Sequence, residues 1–414
     1  MENVYYSLKD FELSLKKNAI ERADDFQQYI NQLNEFGCKS YWITSQTGVG
    51  STMTIEGFSR PVTAFISNDY LGMSQREETK QAGIDAIIKY GTGSCAAQVI
   101  GGYLDIHQQL EQEIASFVGQ EDAMLFSSGF GANAGILRAL LGQNDIALVD
   151  PYIHTSAMAG LKGTNVKRIG HNDLEYLEKT LKETKDQYQT RLVIIDGVYS
   201  QDGDLSLLPE IISLCKTHEA MLMLDDAHGI GVMGANGRGT AEHFNCLGQA
   251  DIITGTFSKS FGCVGGFAAA SKKIIQYLKF YADSNVFSAA PTPQVTASIL
   301  KALEIIKKEP AIRARLWENT DYLRSRLTTE GFDIGKSVSP IFPIMIRDNK
   351  KVYEIAKMLQ EKGIFTIGIV YPAVRTKEAR LRVSVLATHE HEQLDALINA
   401  LNDINKDIKI KKEQ

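Results

Sequence analysis

Four short apolar runs constrain the fold more than any other feature of the chain. They lie at residues 147–149, 192–195, 221–224 and 252–253. The last three begin about 30 residues apart, with helical or loop sequence between them, which is the spacing of β-α-β units. We therefore predict an α/β fold whose large domain contains a mostly parallel sheet with helices on both faces.

Polar residues follow each of these runs. Asp150 and His154 come after the first run, residues 196–200 after the second, residues 225–228 after the third and residues 256–259 after the fourth. Ligands of open α/β sheets bind outside the carboxyl ends of the strands. The four polar clusters therefore predict a single shared site.

The pattern of elements changes near Pro310. Beyond it the sequence indicates a smaller α+β domain, with helices at 312–329 and 352–362, strands at 341–346, from 364 and at 380–386, and a final helix. We divide the chain into an N-terminal arm with short strands (1–60), a large α/β domain (61–305) and a small C-terminal α+β domain (306–414).

Charge and cysteine content limit the possible partners and location. The 44 basic and 50 acidic residues give a net charge of −6, which indicates no general attraction to nucleic acid or to anionic membranes. The five cysteines form no Cys-x-x-Cys pair, which favours reduced thiols. No apolar run approaches the roughly 20 residues of a membrane span. We expect a cytoplasmic protein with no transmembrane segment.

Lys259 and Asp225 carry the chemistry of the predicted site. Lys259 follows a buried strand among small residues, where desolvation would lower the pKa of its amine and make it a nucleophile; the alternative is a surface lysine on a loop. Asp225 and Asp226 are adjacent carboxylates, and burying both requires a cation or hydrogen-bond donors. Pyridoxal phosphate would supply a protonated ring nitrogen for a carboxylate and an aldehyde for the lysine.

A phosphate group would need its own binding element. Ser128, Gly129 and Phe130 precede an Ala- and Leu-rich helical run, so they predict a helix N-terminus with accessible amides, and Thr256 would add a hydroxyl. A plain helix-capping turn is the alternative for this segment. The glycine-rich stretch at 91–103 is not read as a dinucleotide-binding loop, because its third expected glycine is an alanine.

Taken together, these motifs resemble the α-oxoamine synthase family over nearly the whole chain beyond the arm. The resemblance implies a fold type I, pyridoxal-phosphate-dependent transferase that condenses an amino acid with an acyl thioester, loses carbon dioxide and gives a 3-keto amine. Within the family, the sequence looks most like the bacterial serine palmitoyltransferase branch of sphingolipid synthesis. The motifs are SNDYLG at 67–72, GTG at 91–93, LDIH at 104–107, SGF at 128–130, His154, DGVYS at 196–200, DDAH at 225–228 and TFSK at 256–259.

The resemblance also implies a role for each site residue. Lys259 would hold the cofactor covalently and remove the substrate's Cα proton, Asp225 would pair with the ring nitrogen, and His154 would stack on the ring. His228 with Ser200 would hydrogen-bond the ring hydroxyl. The remaining implied contacts are Ser128, Gly129, Phe130, Thr256 and Ser258 with the cofactor, Asn68, His154 and Arg382 with the substrate carboxylate, and Ser288 with the phosphate of the neighbouring subunit in a homodimer.

Several positions depart from the serine palmitoyltransferase pattern. Residues 96–98 read Ala-Ala-Gln instead of Gly-Ser-Arg, Asp283 replaces an arginine and Gln201 a methionine. These changes suggest a different acyl carrier, whether coenzyme A or a carrier protein, a different chain length or a different amino acid. Arg375, where a proline is expected, would fit an acidic amino acid such as cysteate.

Other functions stay open on the sequence alone. The chain would also fit another branch of the family: 8-amino-7-oxononanoate synthase, 2-amino-3-ketobutyrate ligase or an amino-ketone signal synthase. A catalytically silent partner subunit is the non-enzyme alternative. His389 and His391 are too irregularly placed for a His-Glu-x-x-His metal site, so a helix start is the preferred interpretation and no metal is expected.

Overall fold

The computed structural model describes residues 6–12 and 17–411. The chain divides into two compact units: Asn68–Ser200 with Asp204–Leu316 form the large unit, and Met1–Ser67, Gln201–Gly203 and Trp317–Gln414 form the small unit. The N-terminal segment and the C-terminal residues thus fall in the same unit. The division at 60 and 305 expected from the sequence stays a prediction.

The secondary structure alternates strands and helices through the large unit. The strands are β1 Thr52–Met53, β2 Val62–Ala64, β3 Asp122–Phe126, β4 Ile146–Val149, β5 Asn165–Arg168, β6 Arg191–Asp196, β7 Met221–Asp225, β8 Ile252–Thr256, β9 Gly266–Ala270, β10 Ile341–Met345, β11 Ile364–Phe365, β12 Ile367–Ile369 and β13 Arg380–Ser384. The helices are α1 Ala19–Phe36, α2 Glu77–Tyr90, α3 Asp105–Val118, α4 Gly129–Leu140, α5 Thr155–Gly160, α6 Leu174–Glu183, α7 Leu208–Thr217, α8 Thr240–His243, α9 Lys272–Tyr281, α10 Asp283–Val286, α11 Pro293–Lys308, α12 Pro310–Thr329, α13 Asn349–Glu361 and α14 His391–Asp407.

A seven-stranded sheet, in the order β3-β9-β8-β7-β6-β4-β5, forms the centre of the large unit. Strands β4 to β8 pair in parallel, and β9 runs antiparallel to both of its neighbours. The four predicted strands are β4, β6, β7 and β8, and they lie next to one another, which confirms the predicted mostly parallel sheet. Strands β3, β5 and β9 were not predicted.

Alternate residues of the central strands form a hydrophobic core on one face of the sheet. Phe126, Val149, Ile194 and Met223 belong to it, together with side chains from α4, α5 and α9. Because side chains alternate between the two faces of a strand, residues two apart along each strand share this core. The packing fixes the N-terminal ends of α4 and α5 near the carboxyl ends of the strands.

The register of the parallel strands places their polar ends side by side. Asp196 at the end of β6 pairs with Asp225 at the end of β7, and Asp225 pairs with Thr254 of β8. Polar residues distant in sequence therefore meet at one edge of the sheet, as the spacing predicts.

The small unit contains two three-stranded sheets, β1-β2-β11 and β10-β13-β12. Helices α13 and α14 accompany them, in agreement with the predicted α+β character. Helix α14 begins at His391, as expected, but His389 just before it is buried. The Nε2–H of His389 donates to the Ala64 carbonyl at 3.2 Å, and its ring stacks on Phe65. Burial lowers the pKa of His389 to about 4, so it is a neutral structural histidine.

The described residues contain neither a candidate membrane span nor a candidate metal site. None of their helices is long and apolar enough to cross a membrane. Within residues 6–12 and 17–411, no group of three or more His, Cys, Asp or Glu side chains is placed to hold a metal ion.

Candidate active site

A cavity of about 190 Å³ lies at the carboxyl ends of β6, β7 and β8. Ten of the predicted site residues line it: Asn68, Gly129, Phe130, His154, Ser200, Asp225, His228, Thr256, Ser258 and Lys259. Six residues outside the predicted site also line it: Asn133, Ser156, Asp196, Val198, Ala227 and Gly255. All of these belong to the large unit.

The two adjacent carboxylates have different environments. Asp225 lines the cavity, and its oxygens accept hydrogen bonds from Asn133 Nδ2 at 2.6 Å and from the Ala227 backbone N–H at 3.1 Å. Asp226 is 1% exposed and accepts from the backbone N–H and the hydroxyl of Thr240, at 2.8 and 2.9 Å. Asp225 is therefore the carboxylate that can meet a ligand, and Asp226 has a structural role.

Burial dominates the titration of Asp226. It raises the pKa of this carboxyl to about 7, the donors of Thr240 oppose the shift and the charge of Asp225 adds to it. A Cβ built on Gly229 or Gly239 would lie 2.0 Å from an Asp226 carboxylate oxygen. Glycines thus make room for a buried carboxylate directly behind the site.

Lys259 lies in a tight loop after β8. The Gly262 N–H donates to the Lys259 carbonyl at 2.8 Å, and Gly262 has φ +64°. A Cβ on Gly262 would lie 2.2 Å from the backbone nitrogen of Ser74, so this position requires glycine. Phe257 and Phe261, each 1% exposed, flank the lysine and pack edge to face at 5.2 Å. The loop holds Lys259 at the cavity, and the side chains of Phe257 and Phe261 are buried on either side of it in sequence.

The N-terminus of α4 and the end of β8 form a polar corner of the cavity. Ser128 caps α4 by accepting from the Gly131 N–H at 2.9 Å. A Cβ on Gly129 would lie 2.9 Å from the Thr256 Cβ, so the helix start and the strand end are in close approach. Thr256 Oγ1 lies 3.1 Å from Ser258 Oγ. Unpaired amides at a helix start and two hydroxyls are the groups that a phosphate binds.

His154 is held at the start of α5. Its backbone N–H points to Asp196 Oδ1 at 3.4 Å, and its Nδ1 is 2.7 Å from Ser156 Oγ. Burial lowers the pKa of His154, the charge of Asp225 opposes that effect and the charge of Lys259 lowers the pKa further. The ring is therefore neutral at neutral pH.

His228 is positioned by a buried tyrosine. Its Nδ1 is 2.8 Å from the hydroxyl of Tyr70, which is 1% exposed, and the same hydroxyl lies 3.3 Å from Asn68 Oδ1. Sequence reasoning missed Tyr70 in this role, although it lies inside the SNDYLG motif. The loop of Ser200 is held in a similar way, because the Tyr199 hydroxyl donates to Asp150 at 2.9 Å.

Three predicted site residues do not line the cavity. Ser128 acts as the helix cap, and Ser288 lies in the large unit just after α10. Arg382 belongs to β13 of the small unit, is 7% exposed and donates to Ser384 Oγ at 2.8 Å. The roles implied for Ser288 and Arg382 stay predictions.

Two of the residues that depart from the serine palmitoyltransferase pattern, Gln98 and Asp283, have partners within the large unit. Gln98 Nε2 donates to the Leu125 carbonyl at 3.1 Å. Asp283 forms a salt bridge with Arg138 at 2.7 Å. The acidic charge at position 283 is therefore paired with a cation of the same unit, and the effect of these positions on the acyl carrier stays a prediction.

The amino-acid sequence matches one protein family over most of its length and is similar to several of its members. Residues 60–401 match the family "Aminotransferase class I and II". The chain is 39% identical to a serine palmitoyltransferase of Sphingobacterium spiritivorum, covering 95% of this chain and 98% of that one. It is 37% identical to an 8-amino-7-oxononanoate synthase of Thermoanaerobacter pseudethanolicus, covering 95% and 100%.

Solved structures give the same relationship. A high-resolution structure of serine palmitoyltransferase (SPT) with a PLP internal aldimine has a TM-score of 0.90 and 27% identity, covering 95% of this chain and 100% of that one. Serine palmitoyltransferase of Sphingomonas wittichii has a TM-score of 0.91 and 28% identity, covering 96% and 100%. The chain belongs to the class I and II aminotransferase family and, within it, to the α-oxoamine synthases, the group that contains serine palmitoyltransferase and 8-amino-7-oxononanoate synthase.

Proposed function

We propose that this protein is a pyridoxal-phosphate-dependent C-acyltransferase that condenses an amino acid with an acyl thioester, releasing carbon dioxide and the thiol and giving a 3-keto amine. The observation that carries the proposal is the placement of Lys259, Asp225, His154 and His228 around one cavity. Serine palmitoyltransferase chemistry, with serine or a similar amino acid and a long-chain acyl group, is the first candidate.

The residues present fit the cofactor. Asp225 is oriented by two donors, so it can accept from a protonated ring nitrogen. The N-terminus of α4, with Thr256 and Ser258, offers amides and hydroxyls to a phosphate. Lys259 lines the same cavity, and its amine would bind the aldehyde.

Each side chain then has a chemical task. When bound, pyridoxal phosphate acts as an electron sink for a carbanion at the Cα of the amino acid. Asp225 would keep the ring nitrogen protonated, which increases that capacity. Lys259 Nζ would take the Cα proton of the bound amino acid and return it later. His154 would lie against the ring, and His228 with Ser200 would hydrogen-bond its hydroxyl.

The substrate carboxylate would be bound by Asn68, His154 and Arg382. Arg382 would do so bidentately, which suits a planar carboxylate. Asn68 lines the cavity beside His154, and this placement supports two of the three contacts.

We also propose that the active enzyme is a homodimer in which Ser288 reaches the neighbouring subunit's phosphate. Large apolar side chains near Ser288 support this: Phe280, Tyr281 and Phe287 are 70%, 62% and 87% exposed. Such side chains are usually buried, and a second copy of the chain would cover them. A cytoplasmic location is a further proposal, supported by five cysteines that are all free thiols.

The first experiment tests cofactor binding. Purified protein incubated with pyridoxal phosphate should acquire a visible absorption band, and Lys259→Ala should lose it while the control Lys272→Ala, at an exposed lysine of α9, keeps it. A wild-type protein that stays colourless after reconstitution would exclude both enzyme readings and favour the silent partner subunit.

The second experiment identifies the substrates. Labelled serine, glycine, alanine and cysteate are each incubated with short and long acyl thioesters on coenzyme A or a carrier protein, and the ketone is detected by mass. A preference for cysteate would support the hypothesis that Arg375 selects an acidic amino acid. A clear preference for a neutral amino acid would reject that hypothesis.

Another branch of the family is the second candidate function. The 37% identity to an 8-amino-7-oxononanoate synthase, over the full length of that protein, specifically favours it. Alanine with a short acyl thioester as the best substrate pair would identify this branch, whereas glycine would indicate ligase-type chemistry.

A further inference from the structure

A chain of hydrogen bonds in the wall of the cavity connects Asp225 to His154. Asn133 Nδ2 donates to Asp225 Oδ2 at 2.6 Å and to Ser156 Oγ at 2.9 Å. Ser156 Oγ is in turn 2.7 Å from His154 Nδ1. Asn133 is 3% exposed and Ser156 is fully buried.

The direction of each hydrogen bond follows from the number of available hydrogens. The two hydrogens of Asn133 Nδ2 are used by Asp225 and by Ser156 Oγ. The single hydroxyl hydrogen of Ser156 is then available for His154 Nδ1. Rotating the Asn133 amide by 180° would instead point its oxygen at the carboxylate of Asp225, which is unfavourable for two acceptors.

A second donor supports the same assignment for His154. The backbone N–H of Ser156 also points to Nδ1, at 3.3 Å, and a backbone N–H can only donate. Nδ1 therefore accepts twice. A neutral His154 must then carry its proton on Nε2.

Close packing of α4 against α5 brings Asn133 and Ser156 together. Gly160 of α5 faces Ala134 of α4, and a Cβ at Gly160 would lie 2.7 Å from the Ala134 carbonyl oxygen. Any larger residue would separate the two helices. The contact thus depends on a glycine four residues after Ser156.

We propose that Asn133 and Ser156 are positioning residues that orient Asp225 as an acceptor and hold His154 as the tautomer protonated on Nε2. This inference rests on the proposed function, since Asp225 and His154 act on a bound cofactor and substrate. We call the hydrogen bonds from Asn133 to Asp225 and Ser156 and from Ser156 to His154 the relay. The relay leaves Nε2 of His154 as a donor and Asp225 as an acceptor, so the same two side chains orient both groups.

The direct test is the tautomer of His154 in the full-length protein, with and without pyridoxal phosphate, by ¹⁵N NMR of histidine-labelled protein. A His154→Gln variant assigns its signals among the eight histidines. We expect Nδ1 to resonate as an unprotonated nitrogen and Nε2 as a protonated one at neutral pH. Ser156→Ala removes the shorter of the two hydrogen bonds at Nδ1 and leaves only the backbone N–H at 3.3 Å, so we expect the share of the tautomer protonated on Nδ1 to rise. The control Ser206→Ala, at a buried hydroxyl with no partner in the described residues, should change nothing.

Charged groups that face His154 could also change its tautomer or protonation state. These are Asp225 and Lys259 through their charges and Asp196 through the His154 backbone N–H. All three are unchanged in Ser156→Ala. A change of tautomer in this variant therefore reports the loss of the serine hydroxyl.

Kinetics and cofactor binding provide the second test. Ser156→Ala should lower kcat about tenfold with little change in KM, the effect expected for one lost hydrogen bond to a catalytic group, and Ser156→Thr should restore most of it. Asn133→Ala should weaken pyridoxal phosphate binding about tenfold and shift its absorption spectrum. Thermal unfolding of each variant and of Ser206→Ala identifies any general loss of folding.

The outcomes separate this inference from the proposed function. An unchanged tautomer in Ser156→Ala, or kcat and cofactor affinity within twofold of wild type in both variants, would overturn the relay. If the wild-type protein neither bound the cofactor nor formed a ketone, the proposed function would fail, and the NMR result would still decide whether the relay sets the tautomer.

Discussion

A histidine between two aspartates behind the Ser200 loop makes the stability of the large unit depend on pH. His171 Nδ1 is 3.0 Å from Asp150 Oδ2, and His171 Nε2 is 2.9 Å from Asp204 Oδ2. Burial alone would lower the pKa of His171, but hydrogen bonds and charge from the two carboxylates outweigh it and raise the pKa to about 9. The perturbation that tests this cluster is His171→Gln.

The sign and size of the effect follow from the two pKa values. An unfolded histidine titrates near 6.5, so the His171 cation stabilises the fold fully below about pH 6.5 and loses this contribution as the pH rises through about 9. A difference of about 2.5 pKa units at about 1.4 kcal/mol each sets an upper limit of about 3.5 kcal/mol. Because the side chain is 21% exposed, solvent screening reduces this to about 1 to 3 kcal/mol.

The assay is urea unfolding of wild type and His171→Gln from pH 6 to pH 9.5. At pH 6 we expect the variant to be less stable by about 1 to 3 kcal/mol, since two buried carboxylates lose their shared cation. The difference in unfolding free energy should shrink by at least about 1 kcal/mol by pH 9.5. His243→Gln, at an exposed histidine of α8, is the matched control. A difference that stays constant over this pH range would show that the His171 cation is not what stabilises the cluster.

Three further perturbations test the site and its support. Gly160→Ala would place a Cβ against Ala134 and should cost about 1 to 3 kcal/mol in thermal unfolding, whereas Gly142→Ala, with its nearest atom at 3.8 Å, should be close to neutral; equal effects would refute the close helix contact. Ser128→Ala removes the cap of α4 and should cost about 1 kcal/mol and weaken pyridoxal phosphate binding, and a cofactor titration that matches wild type would contradict the phosphate assignment. Arg382→Lys should raise KM for the amino acid about tenfold or more with little effect on cofactor affinity, since lysine cannot bind a carboxylate bidentately; an unchanged KM would remove Arg382 from the substrate site.

Strand β9, which sequence reasoning missed, differs in its side chains from two strands that it found, β6 and β7. β6 and β7 are continuous runs of large apolar residues, which is the pattern of a strand buried on both faces. β9, Gly266–Ala270, consists of one phenylalanine, one glycine and three alanines. Glycine and alanine have low β propensity, so four of its five residues do not favour a strand. It is a strand because its neighbours β3 and β8 pair with it, which is tertiary information.

The same distinction applies to the site residues. Lys259, Asp225 and His154 could be predicted because each follows an apolar run and has a side chain suited to the chemistry. Asn133 and Ser156 could not, since an asparagine within a helix and a serine after its first residue have many ordinary explanations. Their closeness to His154 and to the SGF motif was the only available signal.

The sequence by itself determined the α/β class, the predicted positions of the reactive side chains and the family, because apolar periodicity and motif spacing are local properties of the chain. Only the tertiary structure decided that Asp225 faces the cavity while Asp226 is bound to Thr240. It also decided that Asn133 links Asp225, 92 residues away, to Ser156. Such contacts depend on how closely two helices and three strand ends approach, and that distance is set by packing across the whole unit.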